Sequence, residues 1–222
     1  MHKYRTEPEV SLHRRARGRP RSFDRDAALE EAMRLFWANG YEGTSISDLT
    51  ERMGICAKSL YAAFGSKEQL YAEALQLYLA TFDRVIWDGF ATAATARDAV
   101  HAFLHNSAIG MTMPLTLRPR GCMATLTFFG DDGPAALDGQ VRSTRAGLFE
   151  ALLARIRTAV DEGDLPQSTN GVELARFVQV VHSGMTVRSR DGADQAELDA
   201  VVDIAMAGWD SIVGRAATQT PQ

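Results

Sequence analysis

Cysteine is scarce in this 222-residue chain, which contains only Cys56 and Cys122. Two cysteines so far apart in sequence cannot build a disulfide framework, and by themselves they cannot supply the four ligands of a structural zinc site. A small scaffold held together by disulfides is therefore excluded, and we expect both side chains to be reduced thiols.

Long apolar runs are also missing. No stretch approaches the roughly 18 uncharged apolar residues that cross a bilayer, and the polar, basic N-terminus has no apolar segment behind it like that of a signal peptide. We therefore expect a cytoplasmic protein without a membrane partner. The composition, 45% hydrophobic and 23% charged, is ordinary for a globular protein of one large or two small domains.

Motifs of the common enzyme classes do not occur. There is no G-x-S-x-G elbow, no H-E-x-x-H zinc motif, no G-x-G-x-x-G and no phosphate-binding glycine loop after a strand. Strand-like alternation of convincing length and internal repeats are absent too. The sequence therefore predicts an all-α protein that is not an enzyme and that has no cofactor.

Charge is distributed unevenly along the chain. The net charge is −4, yet residues 1–67 contain 12 Lys and Arg against 9 Asp and Glu, whereas residues 68–222 contain 12 against 19. Five arginines and no acidic residue lie between Arg14 and Arg21. Because polyanion binding depends on local charge, this segment is a candidate nucleic-acid contact; the alternative is a disordered, merely solvated tail.

Helical periodicity begins only after this basic segment. Residues 1–22 contain two prolines and little apolar periodicity, which predicts a flexible arm. Capping patterns and glycine stops predict helices from Asp24 to Asn39, from Ser45 to Met53, from Ala57 to Phe64 and from Lys67 toward Phe90. Five more helices are predicted at about residues 95–111, 121–129, 135–162, 171–188 and 194–214.

The second and third predicted helices are short and are joined by the turn Gly54-Ile55-Cys56. Such a pair is the helix-turn-helix arrangement, in which the second helix enters the major groove of DNA. The stretch TSISDLTERMGICAKSLYAAFGSKEQL (residues 44–70) resembles the DNA-binding signature of the TetR family of regulators. The stretch GRPRSFDRDAALEEAMRLFWANGYEGTS (residues 18–45) resembles the helix that precedes it.

This resemblance implies a transcriptional repressor that binds a pseudo-palindromic operator in double-stranded DNA as a homodimer and is released by a small-molecule effector. It divides the chain into a basic arm (1–22), a helix-turn-helix DNA-binding domain (23–68) and a helical ligand-binding and dimerisation domain (69–222), with about nine helices in all. The alternative is a helical DNA-binding or architectural protein that needs no effector and whose second domain would lack a cavity.

The resemblance also implies roles for individual residues. Lys58 and Ser59 match positions at the start of the recognition helix, from which side chains reach base edges. Thr44, Tyr61 and Lys67 match positions that contact phosphates, a task that suits hydroxyl and ammonium donors. Lys67 also begins a helix, where backbone N–H groups favour an anion.

The arm predicts a second mode of DNA contact. Its segment Arg17-Gly18-Arg19-Pro20-Arg21 resembles the core of an AT-hook, an extended segment that lies in a narrow A·T-rich minor groove. Arg17, Arg19 and Arg21 are therefore predicted minor-groove contacts beside a recognition helix in the major groove, as in homeodomains.

One position in the turn departs from the family pattern. Cys56 stands where Ser or Thr usually caps the recognition helix, and cysteine is a poor N-cap. A thiol near a helix N-terminus can have a lowered pKa, so a redox-active Cys56 and a purely structural one both stay open.

The second domain is predicted to bind an apolar or aromatic effector and to form the dimer interface. By the resemblance, the last two helices form a four-helix bundle with those of the partner subunit. The predicted interface residues on their apolar stripes are Phe177, Val181, Val201, Ala205 and Trp209. The residues predicted to line the effector pocket are His105, Met111, Cys122, Met123, Phe128, Phe129, His182 and Met185.

Metal binding and thiol sensing are alternative roles for residues of this domain. His101 and His105 lie on one helix face and are spaced like two metal ligands, but no third ligand is evident, and we predict no metal site. Cys122 lies close in sequence to Arg118 and Arg120, a setting compatible with a thiol sensor. Ordinary packing of Cys122 in the core is the alternative.

Overall fold

The computed structural model describes residues 23–113, 119–128 and 133–218. Within these ranges the chain forms nine helices and no strand, as the sequence predicts. The helices are α1 (Arg25–Asn39), α2 (Ile46–Met53), α3 (Ala57–Phe64), α4 (Lys67–Ile86), α5 (Ala96–Thr112), α6 (Met123–Leu126), α7 (Ala135–Asp161), α8 (Gly171–Arg190) and α9 (Gln195–Thr218). Among the described residues no helix is long and apolar enough to cross a membrane.

Local signals set the ends of the first helices. The Asp24 carboxylate accepts hydrogen bonds from the backbone N–H groups of residues 26 and 27 and so caps α1. Ser45 and Asp48 form a reciprocal capping box at the start of α2, which leaves fewer of the N-terminal N–H groups without partners. Gly54 then ends α2 in the left-handed conformation, and Ser66 caps α4. The predicted bounds of α1, α2 and α3 are confirmed.

Two helices are shorter than predicted. Helix α4 ends at Ile86 rather than near Phe90, because the chain turns at Gly89, whose φ is 73°. Trp87 and Phe90 then pack on the ring of Phe103, with ring centroids 4.9 and 6.3 Å from it. Helix α6 is a single turn from Met123 to Leu126. The apolar spacing that predicted a longer α4 therefore includes Trp87 and Phe90, which lie beyond the helix and pack against α5.

Two hydrophobic cores organise the chain. The first core lies among α1 to α4, around residues such as Phe36, Leu60 and Tyr71, and also takes in Met123 of α6 and Val141 of α7. The second core lies among α5, α7, α8 and α9. Helix α4 begins at Lys67 and packs along the first core, so it runs through the predicted domain boundary between residues 68 and 69. That boundary stays a prediction.

The end of α1 is fastened to the second region by hydrogen bonds. The indole N–H of Trp37 donates to the carbonyl of Gly121 over 3.1 Å. The Arg190 guanidinium, at the end of α8, donates to the carbonyls of Trp37 (3.0 Å), Ala38 (2.6 Å) and Arg120 (3.2 Å). Last-turn carbonyls of a helix lack intrahelical partners, so these bonds complete α1. We call this set of five residues the α1–α8 junction.

Gly121 permits the close approach at this junction. Its φ is 78°, and a Cβ atom there would lie 2.8 Å from Leu126 Cδ1 and 3.1 Å from the carbonyl oxygen of Thr186. Only glycine combines that backbone conformation with that spacing at low cost. The start of α6 therefore lies directly against α8.

Candidate nucleic-acid interface and ligand cavity

Helix α3 has one buried face and one exposed face. Leu60 and Phe64 are buried in the first core, whereas Ala57, Lys58 and Tyr61 are exposed. Spacings of three and four residues place side chains on one face of a helix. A helix of this length, about 12 Å, fits within the major groove of DNA. The exposed face of α3 is therefore a candidate DNA-reading surface.

The two predicted base contacts differ in their surroundings. Lys58 is exposed, and no side chain in the described part of the protein bonds its ammonium group. Ser59 is half-buried, and its Oγ lies 3.3 Å from the Sγ of Cys56. Cys56 makes no capping hydrogen bond to the helix backbone, as expected for cysteine. The bond to Ser59 lowers the pKa of the exposed Cys56 thiol.

The predicted phosphate contacts also differ. Tyr61 is 48% exposed and extends from α3. Lys67 is half-buried at the first turn of α4, and its Nζ lies 4.1 Å from the ring centroid of Tyr41. Thr44 is fully buried, and its hydroxyl donates to the Gly40 carbonyl over 2.7 Å. This geometry does not support a phosphate contact by the Thr44 side chain, because the hydroxyl proton already stabilises the turn after α1.

Arg25 helps to position α3, a role that the sequence did not predict. Its guanidinium donates to the carbonyl of Ala63, in the last turn of α3, over 3.3 Å. It also pairs with Glu73 of α4 at 2.7 Å and lies 4.4 Å from the ring centroid of Phe64. A cation at a helix C-terminus is favourable, so Arg25 holds the end of α3 against α1 and α4. In the sequence it is only a basic residue near a helix start.

The arm predicted to enter the minor groove, with Arg17, Arg19 and Arg21, lies outside the described residues. The structure does describe where the chain continues from the arm. Helix α1 starts at Arg25, whose side chain contacts the C-terminal turn of α3. The described chain therefore begins next to the C-terminal turn of α3, and the minor-groove contacts of the arm stay a prediction.

A cavity of about 340 Å³ lies among helices α4 to α8. This volume is near the lower end of the range of roughly 300–1,000 Å³ that is usual for small-molecule sites. Its lining residues are Tyr78, Leu79, Asp83, Ile86, Trp87, Phe103, Cys122, Ala124, Thr125, Thr144, Arg145, Gly147, Leu148, Ala151 and His182. Most of the wall is aromatic or aliphatic, with a few polar groups among these side chains.

Two of the eight predicted pocket residues, Cys122 and His182, line this cavity. Met111 and Met185 are buried within the second core, and Met123 is buried within the first. These three methionines fill space between helices and do not line the cavity. Apolar periodicity marks all buried residues alike, so it does not separate a cavity wall from a close-packed core.

The other three predicted pocket residues lie elsewhere. Phe128 is 74% exposed, and Phe129 lies outside the described residues. His105 does not line the cavity; its Nδ1 is 3.2 Å from the Asp199 carboxylate, and its ring stacks on that of His101 with centroids 5.9 Å apart. Throughout the described ranges, no group of three or more His, Cys, Asp or Glu is arranged to hold a metal ion.

His182 is a deeply buried polar residue on the cavity wall. It is 3% exposed, and its ring stacks on Phe103 with centroids 5.2 Å apart. Burial lowers the pKa of His182 to about 4, because a charged imidazole is poorly solvated there. The ring is therefore neutral near pH 7, and its Nδ1 has no hydrogen-bond partner among the described residues.

The predicted dimer-interface residues are mostly internal. Ala205 and Trp209 are 5% and 1% exposed and belong to the second core. Phe177, Val181 and Val201 are partly buried against that same core. Ala205 and Trp209 are therefore core positions of their own subunit, and this burial does not support their prediction as interface residues.

A different face of α8 and α9 is exposed and apolar. Val180 and Val187 of α8 are 62% and 51% exposed, and Ile204 of α9 is 74% exposed. Gly184 and Ala207, on the same two helices, are exposed as well. We call these five residues the outer α8–α9 face. Small and branched apolar side chains of this kind allow helices to pack closely.

Known proteins resemble this chain in sequence and in structure. Residues 28–74 match the family model described as bacterial regulatory proteins, tetR family. The HTH-type transcriptional repressor ComR of Escherichia coli strain K12 is 32% identical over 205 residues, 90% of this chain and 95% of ComR. BdcR, another HTH-type transcriptional repressor of the same strain, is 28% identical over 87% of this chain and 92% of its own length.

A solved structure agrees with these matches. It contains a cysteine-substituted variant of the TetR family transcriptional regulator CifR, complexed with 26-base-pair double-strand operator DNA. The likeness has a TM-score of 0.81 and 39% sequence identity, and covers 86% of this chain and 98% of CifR. Since the relatives match the second region as well as the helix-turn-helix, the chain belongs to the TetR family of transcriptional regulators.

Proposed function

We propose that this regulator binds a pseudo-palindromic operator as a homodimer, represses transcription there, and is released by a small molecule bound in the α4–α8 cavity. The observation that carries the proposal is helix α3, whose buried face is anchored by Leu60 and Phe64 while Lys58 and Tyr61 extend into solvent. Repression is proposed because ComR and BdcR are both named repressors.

Within the proposed complex, Lys58 contacts base edges, because it is the exposed cation at the start of α3 and a lysine can donate to guanine O6 and N7. Ser59 has a smaller part, since its hydroxyl is shared with Cys56. Tyr61 and Lys67 contact phosphates from either side of the turn between α3 and α4. The complex of CifR with double-strand operator DNA supports operator DNA as the partner.

The outer α8–α9 face is the proposed dimer interface. Its valines and Ile204 are among the most exposed large apolar side chains in the described structure, and exposed apolar patches on a folded protein mark interaction sites. Helices α8 and α9 are joined by only residues 191–194, so the same pair from a second subunit can pack against them about a two-fold axis. That axis places two α3 helices on two half-sites.

The cavity and the α1–α8 junction together provide a route from effector to DNA. Cys122 lines the cavity, and the neighbouring Gly121 accepts the hydrogen bond from Trp37 of α1. A ligand that displaces α6 therefore shifts α1, and with it the DNA-reading helix. The coupling has to come from different ligand affinities in the two conformations, typically about 1–3 kcal/mol. The effector-independent alternative predicts no cavity, so the cavity favours effector control.

Selection of bound sequences from random DNA tests this function. We expect the full chain to select two half-sites in inverted repeat, because each recognition helix reads too few base pairs for specificity by itself. A variant without residues 1–21 should select the same half-sites but lose the preference for A·T pairs beside them. Selection of a single half-site would contradict the dimer. If the variant without the arm loses affinity equally on A·T and G·C flanks, the arm attracts DNA by its charge alone and does not recognise A·T pairs.

The junction is tested by Arg190→Ala, with Arg188→Ala as its control. Both remove one positive charge near the end of α8, but Arg188 pairs only with surface groups, 2.7 Å from Glu197. We expect Arg190→Ala to lower the free energy of unfolding by about 1–3 kcal/mol, as α1 loses charged hydrogen bonds. Arg188→Ala should cost less than about 1 kcal/mol. Operator affinity should fall for Arg190→Ala and not for Arg188→Ala. If the two variants change denaturant unfolding and DNA titration equally, Arg190 has no special role in the junction.

A further inference from the structure

The cavity contains a buried polar group that the protein leaves without a partner. The His182 side chain is 3% exposed, lies on the cavity wall, and has an Nδ1 atom that no described residue bonds. Leaving a buried polar atom unmatched is costly, on the order of 1–3 kcal/mol. The His182 ring borders a cavity of about 340 Å³. Nδ1 itself is enclosed, so a half-turn of the ring about its Cβ–Cγ bond is needed to bring Nδ1 to a hydrogen bond with a bound molecule.

The surrounding wall favours an aromatic molecule. His182 stacks on Phe103. Trp87 also stacks on Phe103, with ring centroids 4.9 Å apart. Tyr78, Ile86 and other apolar residues of the wall complete the lining. Flat rings pack well against such side chains, and the volume limits the ligand to about one or two fused rings.

The charges of the cavity wall disfavour a charged ligand. Arg145 adds one cation to the wall; its guanidinium donates to the Thr127 carbonyl over 2.8 Å and lies 4.9 Å from the ring centroid of Phe128. Asp83 adds one carboxylate to the same wall. Because one cation and one carboxylate balance each other, a ligand with a net charge gains no unmatched counter-charge in exchange for its lost hydration.

From these contacts we infer that the cavity binds a small, uncharged aromatic molecule with a hydroxyl group, which hydrogen-bonds His182 while its ring packs against Trp87 and Phe103. A hydroxyl both donates and accepts, so it satisfies either tautomer of a neutral imidazole. This inference rests on the proposed function of the cavity as the effector site and adds the chemical class of the ligand.

Four probes of one shape test the class: naphthalene, 2-naphthol, 2-naphthoate and 2-naphthylmethylammonium. Binding is followed by calorimetry and by quenching of tryptophan fluorescence, because Trp87 lies in the wall. The wild-type protein should bind 2-naphthol about 10-fold more tightly than naphthalene, the value of one buried hydrogen bond. Tighter binding of the carboxylate or the ammonium compound, or no binding of 2-naphthol, would overturn the inference.

Variants of His182 assign the hydrogen bond. His182→Phe keeps a ring on Phe103 but has no polar atom, so the preference for 2-naphthol over naphthalene should fall to about 1-fold. His182→Asn places an amide near the position of Nδ1 and should keep most of the preference. His182→Leu repeats the apolar measurement if the larger phenylalanine alters the cavity, and naphthalene affinity with thermal unfolding reports whether each variant is folded.

The outcomes also separate the ligand class from the proposed function. A preference for 2-naphthol that persists unchanged in His182→Phe and His182→Leu overturns the assignment to His182. If the preference behaves as expected but saturating 2-naphthol leaves operator affinity unchanged, the hydroxyl-binding site stands and effector release through this cavity is wrong. Binding with release of operator supports both.

Discussion

Val180→Glu and Ile204→Glu are each expected to convert the dimer into a monomer and to weaken operator binding by about 10²–10⁴-fold, the advantage that linking two binding modules provides. Both side chains lie on the outer α8–α9 face and are 62% and 74% exposed. Glutamate there costs the folded subunit little. At a two-fold interface, however, each substitution buries two like charges against apolar surface, with no counter-ion.

The same chemical change at Val85 serves as the control. Val85 is 49% exposed on α4, away from the outer α8–α9 face, so Val85→Glu should leave dimerisation unchanged. Sedimentation measures the mass of each variant against the 24.3 kDa chain, and thermal unfolding reports its stability. If Val180→Glu and Ile204→Glu stay dimeric and bind operator like the wild type, the interface lies elsewhere.

Lys58→Ala is expected to cost about 1–3 kcal/mol per half-site and to flatten the preference at one operator position, because a base contact is lost. Both half-sites of a dimer carry the change, so the loss occurs twice on a full operator. Lys67→Ala is expected to weaken binding to all sequences alike and to reduce the salt slope of log K by about 1, because only a phosphate contact is lost.

The two lysine variants control for each other, since both remove one positive charge. Tyr61→Phe adds a third comparison: it should weaken all sequences alike and leave the salt slope nearly unchanged, because a neutral hydroxyl displaces no counter-ion. The measurement is affinity for matched and single-mismatch operators at several salt concentrations. If Lys58→Ala and Lys67→Ala shift every operator by the same factor, Lys58 does not read a base.

Membership of the TetR family makes this protein a regulator rather than an enzyme, in agreement with the motifs that its sequence lacks. The family was identifiable from residues 18–70 because a helix-turn-helix needs specific side chains at specific positions to form. Leu60 and Phe64 must fill the first core, and Gly54 must adopt a left-handed conformation between α2 and α3. The second region obeys only the weaker requirement of apolar periodicity.

Short-range physics accounts for what the sequence determined by itself. The bounds of α1 and α2 and the end of α3 at Gly65 follow from caps and stops that act within four residues, such as the box formed by Ser45 and Asp48. These interactions form in the same way wherever the helix lies in the molecule. The sequence therefore predicted the all-helical fold and the helix-turn-helix, whereas the role of Lys58 came from the resemblance to the family.

Only the tertiary structure decided which apolar or polar side chains are available for binding. Thr44 matches a phosphate-contacting position, yet its hydroxyl is buried against the Gly40 carbonyl. Trp209 and Ile204 lie on one helix and are both apolar, but the first is 1% exposed and the second 74%. A helix pattern reveals that a residue prefers burial. Whether its own subunit, a ligand cavity or a partner provides that burial depends on packing between elements far apart in the chain, which local sequence does not encode.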